Sequence, residues 1–485
     1  MKICVFGLDS AAPEIIFSDE RLVNLRRLMD LGLYGRLESV VPPTAVPAWM
    51  CMCTSQDPGS LGVYGFRDRS DHSYDKLASA NSASIKALTI WDHLARAGKK
   101  SIIVGVPPNY PPRRVNGVSI GCFLTPDTVK NEFVYPPALK AKITELVGEY
   151  PVDITDFHSD RKDWLKQEIF NLSRKQWQVV RWLLAEQEWD YFHFVDNGFD
   201  RMHHGFWNYF EPKHVQFDPG NGYQDAIPEY YRWLDEQIGS AIELLDDDTI
   251  LLVVSGYGTE RLDGGFAINE WLIREGLLVL NEYPKVTTLF DDLNVNWSKT
   301  KVWSEGEYCP RVFFNVQGRE PHGVIPASEY ESFQNEMKTR LEKLPGEHGE
   351  PLYSQVFKPK EAYRNICNVA PDLIVHLGER YWRSIGTVGH SNLHVHENDT
   401  GSESCSHTQD GMFILTASNC PLNGEYEGAR LLDIAPTLLD LAGYDIPETM
   451  QGRSLVTGTQ KKGQGGPDAD SEKIVHDRLA GLGYV

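Results

Sequence analysis

The run Asp200-Arg201-Met202-His203-His204 sets a carboxylate and an imidazole four residues apart. That spacing puts both side chains on one face of a helical turn, where they can ligate the same divalent ion. A third ligand must then come from elsewhere, and His407, just ahead of the apolar run 412–415, is the best-placed candidate. By spacing alone, a polar helix start facing solvent is the favoured reading. Arg67 and Arg69 follow a glycine and could clamp an anion, or simply form surface ion pairs. His390, His394 and His396 cluster in one stretch, with 394 and 396 on one strand face. An extra metal site, loop histidines beside a substrate (His390 foremost) and solvated side chains are all compatible with it. Cys51 and Cys53 read as buried packing, with thiolate ligation the alternative.

Short apolar runs alternate with amphipathic helical stretches, the pattern of an α/β fold with a mostly parallel sheet and helices on both faces. Strands are expected at 3–8, 35–41, 101–106, 191–195, 249–255 and 412–415. Helices are expected at 20–31, 85–97, 164–188, 230–245, 328–344 and 431–441. Ligands of open α/β sheets bind beyond the carboxyl ends of the strands. Asp9 closes the first strand there, Asp196 to Asp200 follow a second, and Ser255-Gly256-Tyr257-Gly258 follow a third.

The chain of 485 residues, 41% hydrophobic and 24% charged, suits one large core, residues 1–456, with insertions. The Pro/Gly-rich stretch 107–154 reads as a surface cap, and 281–405 as a smaller α+β insertion. Residues 457–470 read as a flexible linker, and 471–485 as a tail segment that docks back or pairs with another subunit of a homo-oligomer. The balance of 47 basic and 68 acidic residues, −21 in all, argues against nucleic acid as a partner. A small anionic substrate fits if a bound cation and local arginines reverse the field. No stretch approaches the ~20 apolar residues that cross a bilayer, so no membrane partner is expected. Eight cysteines without a CxxC pair and a start without a signal-peptide pattern point to the cytoplasm.

Taken together and in order, several short pieces resemble the type I phosphodiesterase/nucleotide pyrophosphatase branch of the alkaline phosphatase superfamily. They are Phe6-Gly7-Leu8-Asp9, Pro42 to Trp49, Asp57-Pro58-Gly59, Tyr64 to Arg67, and Asp200 to Trp207. Further on come Asn269 to Leu272, Gly318 to Pro321, Ala370 to Leu373, His407 with Asp410-Gly411, Asp433 to Thr437, and Leu482-Gly483-Tyr484. The resemblance implies two metal ions, Zn²⁺ above all, with Mn²⁺ or Fe²⁺ as alternatives. One ion would sit on Asp200, His204 and His407; the other on Asp9, a nucleophilic hydroxyl and an Asp-His pair.

Two departures stand out. The family's Ser-Asp-His-Gly reads Ser255-Gly256-Tyr257-Gly258, which removes the Asp-His pair of the second ion and leaves it only Asp9 and a hydroxyl. The family's nucleophile position is Ala45, with Thr44 one residue earlier as the substitute or as a helix N-cap. The expected function is metal-dependent hydrolysis of a small phosphate or phosphonate ester. The alternatives are a repurposed one-metal enzyme, for lyase or transfer chemistry with Tyr257 as acid/base, and a non-catalytic binding protein.

Overall fold

The computed structural model describes residues 1–306, 308–396 and 403–456. The expected linker 457–470 and tail 471–485 lie outside the described residues. Every residue of Ile3–Leu8, Tyr191–Asp196 and Ile250–Ser255 is buried, as expected for unbroken apolar strands covered on both faces. Ile3–Leu8 lies between the other two, parallel to both. Across the ten-stranded sheet the order is Gly424–Glu425, Leu33–Glu38, Asp410–Thr416, Ile250–Ser255, Ile3–Leu8, Tyr191–Asp196, Ser101–Val104, Gly117–Ile120, Val134–Tyr135; Ala429–Arg430 also pairs with Leu33–Glu38. Asp410–Thr416 runs antiparallel to both neighbours, so the mostly parallel sheet is mixed.

Helices cover both faces. Val23–Leu31, Lys162–Glu186, Gly198–Phe210 and Ala226–Ile242 bury Leu25, Trp177, Phe199 and Ile238 in one core. Ala45–Thr54, Ile90–Arg96 and Ile434–Leu441 bury Trp49, Trp91 and Leu438 in the other. The helix expected from residue 85 starts at Ile90, because Thr89 and Asp92 form a reciprocal capping box there.

The stretch 107–154 departs from the expected surface cap. Gly117–Ile120 and Val134–Tyr135 extend the central sheet at its edge, and Leu139–Val147 buries Ile143 and Val147 in the same core as the long helix. Strands this short among Pro and Gly leave little periodicity to read. Residues 302–376 form a smaller lobe: an antiparallel sheet of Val302–Glu305, Arg311–Phe314, Leu373–His376 and Gln355–Phe357, with helix Tyr330–Glu342 and a separate core. Two stretches behind the family resemblance serve structure here: Arg319 reaches both carboxylate oxygens of Asp372 at 2.7 and 2.8 Å and also pairs with Glu320.

Two buried histidines make the fold acid-sensitive. Burial pushes His193, in the central sheet, and His376, in the smaller sheet, down to about 3 from 6.5. The unfolded chain takes up both protons near 6.5 while the folded chain does not. Stability is therefore complete above that value and is lost as pH falls toward 3. At about pH 5 each should cost about 2 kcal/mol. Urea midpoints at about pH 7.5 and about pH 5 check this; equal midpoints would refute it.

Candidate metal centre

The helix Gly198–Phe210 starts directly beyond the carboxyl end of Tyr191–Asp196 and carries Asp200 in its first turn and His204 one turn on. The third member arrives from far along the chain. Beyond Ile250–Ser255, residues Gly258–Arg261 pair antiparallel with Cys405–Thr408, in a register that sets Thr259 against His407. That ladder brings the His407 imidazole to the helix. Nε2 of His204 and Nε2 of His407 stand 3.2 Å apart, and Oδ1 of Asp200 is 3.4 Å from the first and 3.3 Å from the second. All three side chains are buried.

One proton cannot serve three mutually close acceptor-capable atoms. Ligand atoms around a tetrahedral ion at about 2.0–2.1 Å stand about 3.3–3.4 Å apart, so the observed triangle fits such an ion. Arg201 fixes the other side of the carboxylate: its Nη1 donates to Oδ2 of Asp200 at 2.6 Å, and its fork grips Asp153 at 2.6 and 2.8 Å. Burial alone would raise the Asp200 carboxyl, but His204, His407 and Arg201 outweigh it and hold the group well below the ordinary carboxylate range.

Asp9 lies beside this group and is differently engaged. Oδ1 accepts from the Tyr257 hydroxyl and from the Trp49 indole N–H, both at 2.7 Å. Trp49 reaches it across Gly7, where a Cβ would stand 2.5 Å from the indole ring, so only glycine fits. Burial and the charge of Asp200 raise the Asp9 carboxyl to about 7 against those two donors. Gly256 faces apolar neighbours: a Cβ there would meet Ala48 at 3.4 Å and Leu431 at 3.6 Å. Thr44 occupies the N-cap position of Ala45–Thr54, yet its side chain makes no capping bond. Its buried hydroxyl has no hydrogen-bond partner among the described residues.

The remaining candidates lie in other settings. Arg67 pairs weakly with Asp291 at 4.0 Å, with both side chains more than half exposed. Arg69 is buried against Glu320 at 3.5 Å and over the rings of Trp303 and Phe313. His390 bonds Thr387, His394 the Pro345 carbonyl and His396 Glu347, three separate sets of contacts. Cys51 and Cys53 are buried, and burial pushes both thiols up, away from thiolate chemistry. Sequence reasoning missed three participants: Arg201, Asp153 and Tyr308. Arg201 sits inside the Asp-x-x-x-His run and could have been read as the carboxylate's neighbour. Tyr308 sits in a loop without a motif, and its ring lies 4.4 Å from that of His407, centroid to centroid.

A family model described as type I phosphodiesterase / nucleotide pyrophosphatase matches residues 3–403. The chain belongs to that family. Its members are metal-dependent phosphoester hydrolases, and this phosphodiesterase-family chain is an enzyme by that membership. A 2,3-bisphosphoglycerate-independent phosphoglycerate mutase of Shewanella amazonensis is 40% identical over 73 residues, 15% of this chain and 14% of that protein. The corresponding mutase 2 of Methanosarcina acetivorans is 38% identical over 71 residues, 14% of this chain and 13% of that protein. The match thus spans a small part of either relative. Murine ectonucleotide pyrophosphatase / phosphodiesterase 5 superposes with a TM-score of 0.53 at 13% identity, covering 95% of this chain and 99% of that one. Phosphonoacetate hydrolase from Sinorhizobium meliloti 1021, solved with phosphonoformate, gives 0.57 at 14% identity, covering 90% and 94%. At such identities the likeness shows the fold, a mixed central sheet with helices on both sides. Among the described residues no helix is long and apolar enough to cross a membrane.

Proposed function

We propose that this enzyme hydrolyses a small phosphate or phosphonate ester using one divalent cation, Zn²⁺ foremost, held by Asp200, His204 and His407. The observation that carries the reading is the triangle of donor atoms at 3.2–3.4 Å, buried and braced by Arg201. When bound, the cation would supply Lewis-acid polarisation of the phosphoryl oxygen. The Thr44 hydroxyl, buried and with no partner among the described residues, is the candidate to attack phosphorus and displace the ester's leaving-group oxygen, which departs with a proton. Water then cleaves the threonine–phosphorus bond and restores the hydroxyl. Thr44 opens the helix Ala45–Thr54, whose first amides have no partner within the helix and suit phosphoryl oxygens. The Asp9 carboxylate, which feels the charge of Asp200 beside it, is the candidate general base for the Thr44 proton. Tyr257 and Trp49 hold Asp9 in place through Oδ1. Arg67, Arg69 and His390 stay secondary candidates for holding substrate, since their observed contacts lie with other partners. The buried thiols of Cys4, Cys51, Cys53 and Cys122 are free, which supports a reducing, cytoplasmic setting.

A second reading has its own support. Tyr257 and Trp49 already satisfy the Asp9 oxygen that would face a second ion, and Gly256 opens on Ala48 and Leu431. A one-metal enzyme for transfer or lyase chemistry fits that arrangement. The partial likeness to phosphoglycerate mutases points the same way, toward phosphoryl transfer. Metal analysis joined to a turnover screen on bis(p-nitrophenyl) phosphate and phosphonoacetate separates the readings. One ion per chain with ester hydrolysis supports the proposal. One ion without hydrolysis supports the second reading, and no bound ion refutes both metal readings.

Arg201 gives a further test of the centre. Arg201→Met keeps the side chain's length but frees Oδ2 of Asp200. Zinc affinity should fall about 10- to 100-fold, the usual consequence of losing an outer-shell partner. Calorimetric titration measures it; unchanged affinity means the carboxylate needs no bracing.

A further inference from the structure

The hydroxyl of Tyr308 stands 3.5 Å from Nε2 of His204 and 3.3 Å from Oε1 of Glu403. Hydroxyl-to-oxygen hydrogen bonds usually run about 2.7–2.8 Å, so neither contact is strong. The ring, in contrast, is firmly placed. Its centroid lies 4.4 Å from that of His407 and 5.5 Å from that of His204, with the Arg383 guanidinium 5.3 Å above it. A fixed ring therefore holds a poorly satisfied hydroxyl beside the atom through which His204 would grip the cation. Tyr308 is half-buried. It comes from the smaller lobe, on the loop joining Val302–Glu305 to Arg311–Phe314.

We propose that the Tyr308 hydroxyl is the smaller lobe's contact with substrate, donating a hydrogen bond to an anionic oxygen of the phosphate or phosphonate group bound at Asp200, His204 and His407. The proposal rests on the cation reading above. A phenol O–H makes a shorter and roughly twofold stronger bond to an anionic oxygen than to a neutral one. Glu403 is the competing acceptor, but its carboxylate is also engaged in a close ion pair with Arg383. Exchanging the long Glu403 contact for a phosphoryl oxygen is therefore favourable. No covalent bond changes, and the proton stays on the phenol. Because the donor belongs to one lobe and the three cation ligands to the other, a bound phosphoryl group would bridge them.

Tyr308→Phe removes the oxygen and keeps the ring packing. The zinc-loaded protein should then bind inorganic phosphate about 10- to 100-fold more weakly by calorimetry, as expected for losing one hydrogen bond to a charged group. Zinc stoichiometry should not change. Glu403→Gln serves as the control: it keeps the phenol and removes a negative charge, so phosphate should bind at least as tightly as in the unaltered protein. Equal phosphate affinity in Tyr308→Phe, or an equal loss in Glu403→Gln, overturns the proposal. So does an unaltered zinc-loaded protein that binds no phosphate. An unaltered protein that takes up no zinc refutes the cation reading instead.

Discussion

His407→Ala should leave the protein folded, unable to retain a cation, and slower by about 10³-fold or more on any ester it hydrolyses. The ring is one of three donors, and Asp200 with His204 alone forms too small a set for tight binding. Folding should survive, because residue 407 lies in a short two-stranded ladder whose backbone bonds do not depend on the side chain. The ring does pack between Tyr257 and Tyr308, at 4.6 and 4.4 Å between centroids. Its loss should therefore cost a few kcal/mol through the cavity left behind. Two readouts separate the effects: zinc per chain after gel filtration, and the urea midpoint of the cation-free protein. A variant that keeps a full equivalent of zinc removes His407 from the centre. A variant that loses zinc but keeps its turnover removes the cation from the chemistry.

How much of this was legible in the sequence depends on the distance over which each contact is encoded. Ile3–Leu8 matches its predicted limits, because an apolar run ending in Asp9 is complete in itself. Asp200 and His204 are equally local, four residues apart on one helix. His407 is not local: it meets them only through the ladder that sets Thr259 against it. That pairing follows the whole smaller lobe, and only the place of 407 ahead of the apolar run 412–415 and the family resemblance tied it to 200. Strand direction was hidden for a similar reason. The apolar run in Asp410–Thr416 is as good antiparallel as parallel, and chain routing alone decides. Tyr308 carried no signal, since its role comes from how one lobe's loop lies over another lobe's imidazoles. The departure at Gly256-Tyr257 was visible as a missing Asp-His pair. Its counterpart, the two donors that hold Oδ1 of Asp9, needed three dimensions.

Those two donors make a reversal testable. Gly256→Asp together with Tyr257→His should create a second cation site and raise the cation count from one to two per chain. Space exists for the first change: a Cβ at 256 stands in ordinary contact with Ala48 and Leu431, at 3.4 and 3.6 Å. The second change removes the hydroxyl that occupies Oδ1 of Asp9 and supplies an imidazole near it. Without cations the double variant should be less stable than its parent. It places a carboxylate against apolar side chains and replaces a fully buried ring, at a cost of about 2–5 kcal/mol. Saturating zinc should restore most of that through binding. Phosphodiester turnover should rise by about 10²-fold or more if Thr44 is correctly placed to use both ions. A second bound ion without faster turnover would mean that the shift from residue 45 to Thr44 displaced the nucleophile. Failure to bind a second ion, with the fold intact, would mean that Trp49 alone keeps Asp9 from the metal. Trp49→Phe in the same background then decides the matter, because it removes the remaining donor and keeps an aromatic ring over Gly7.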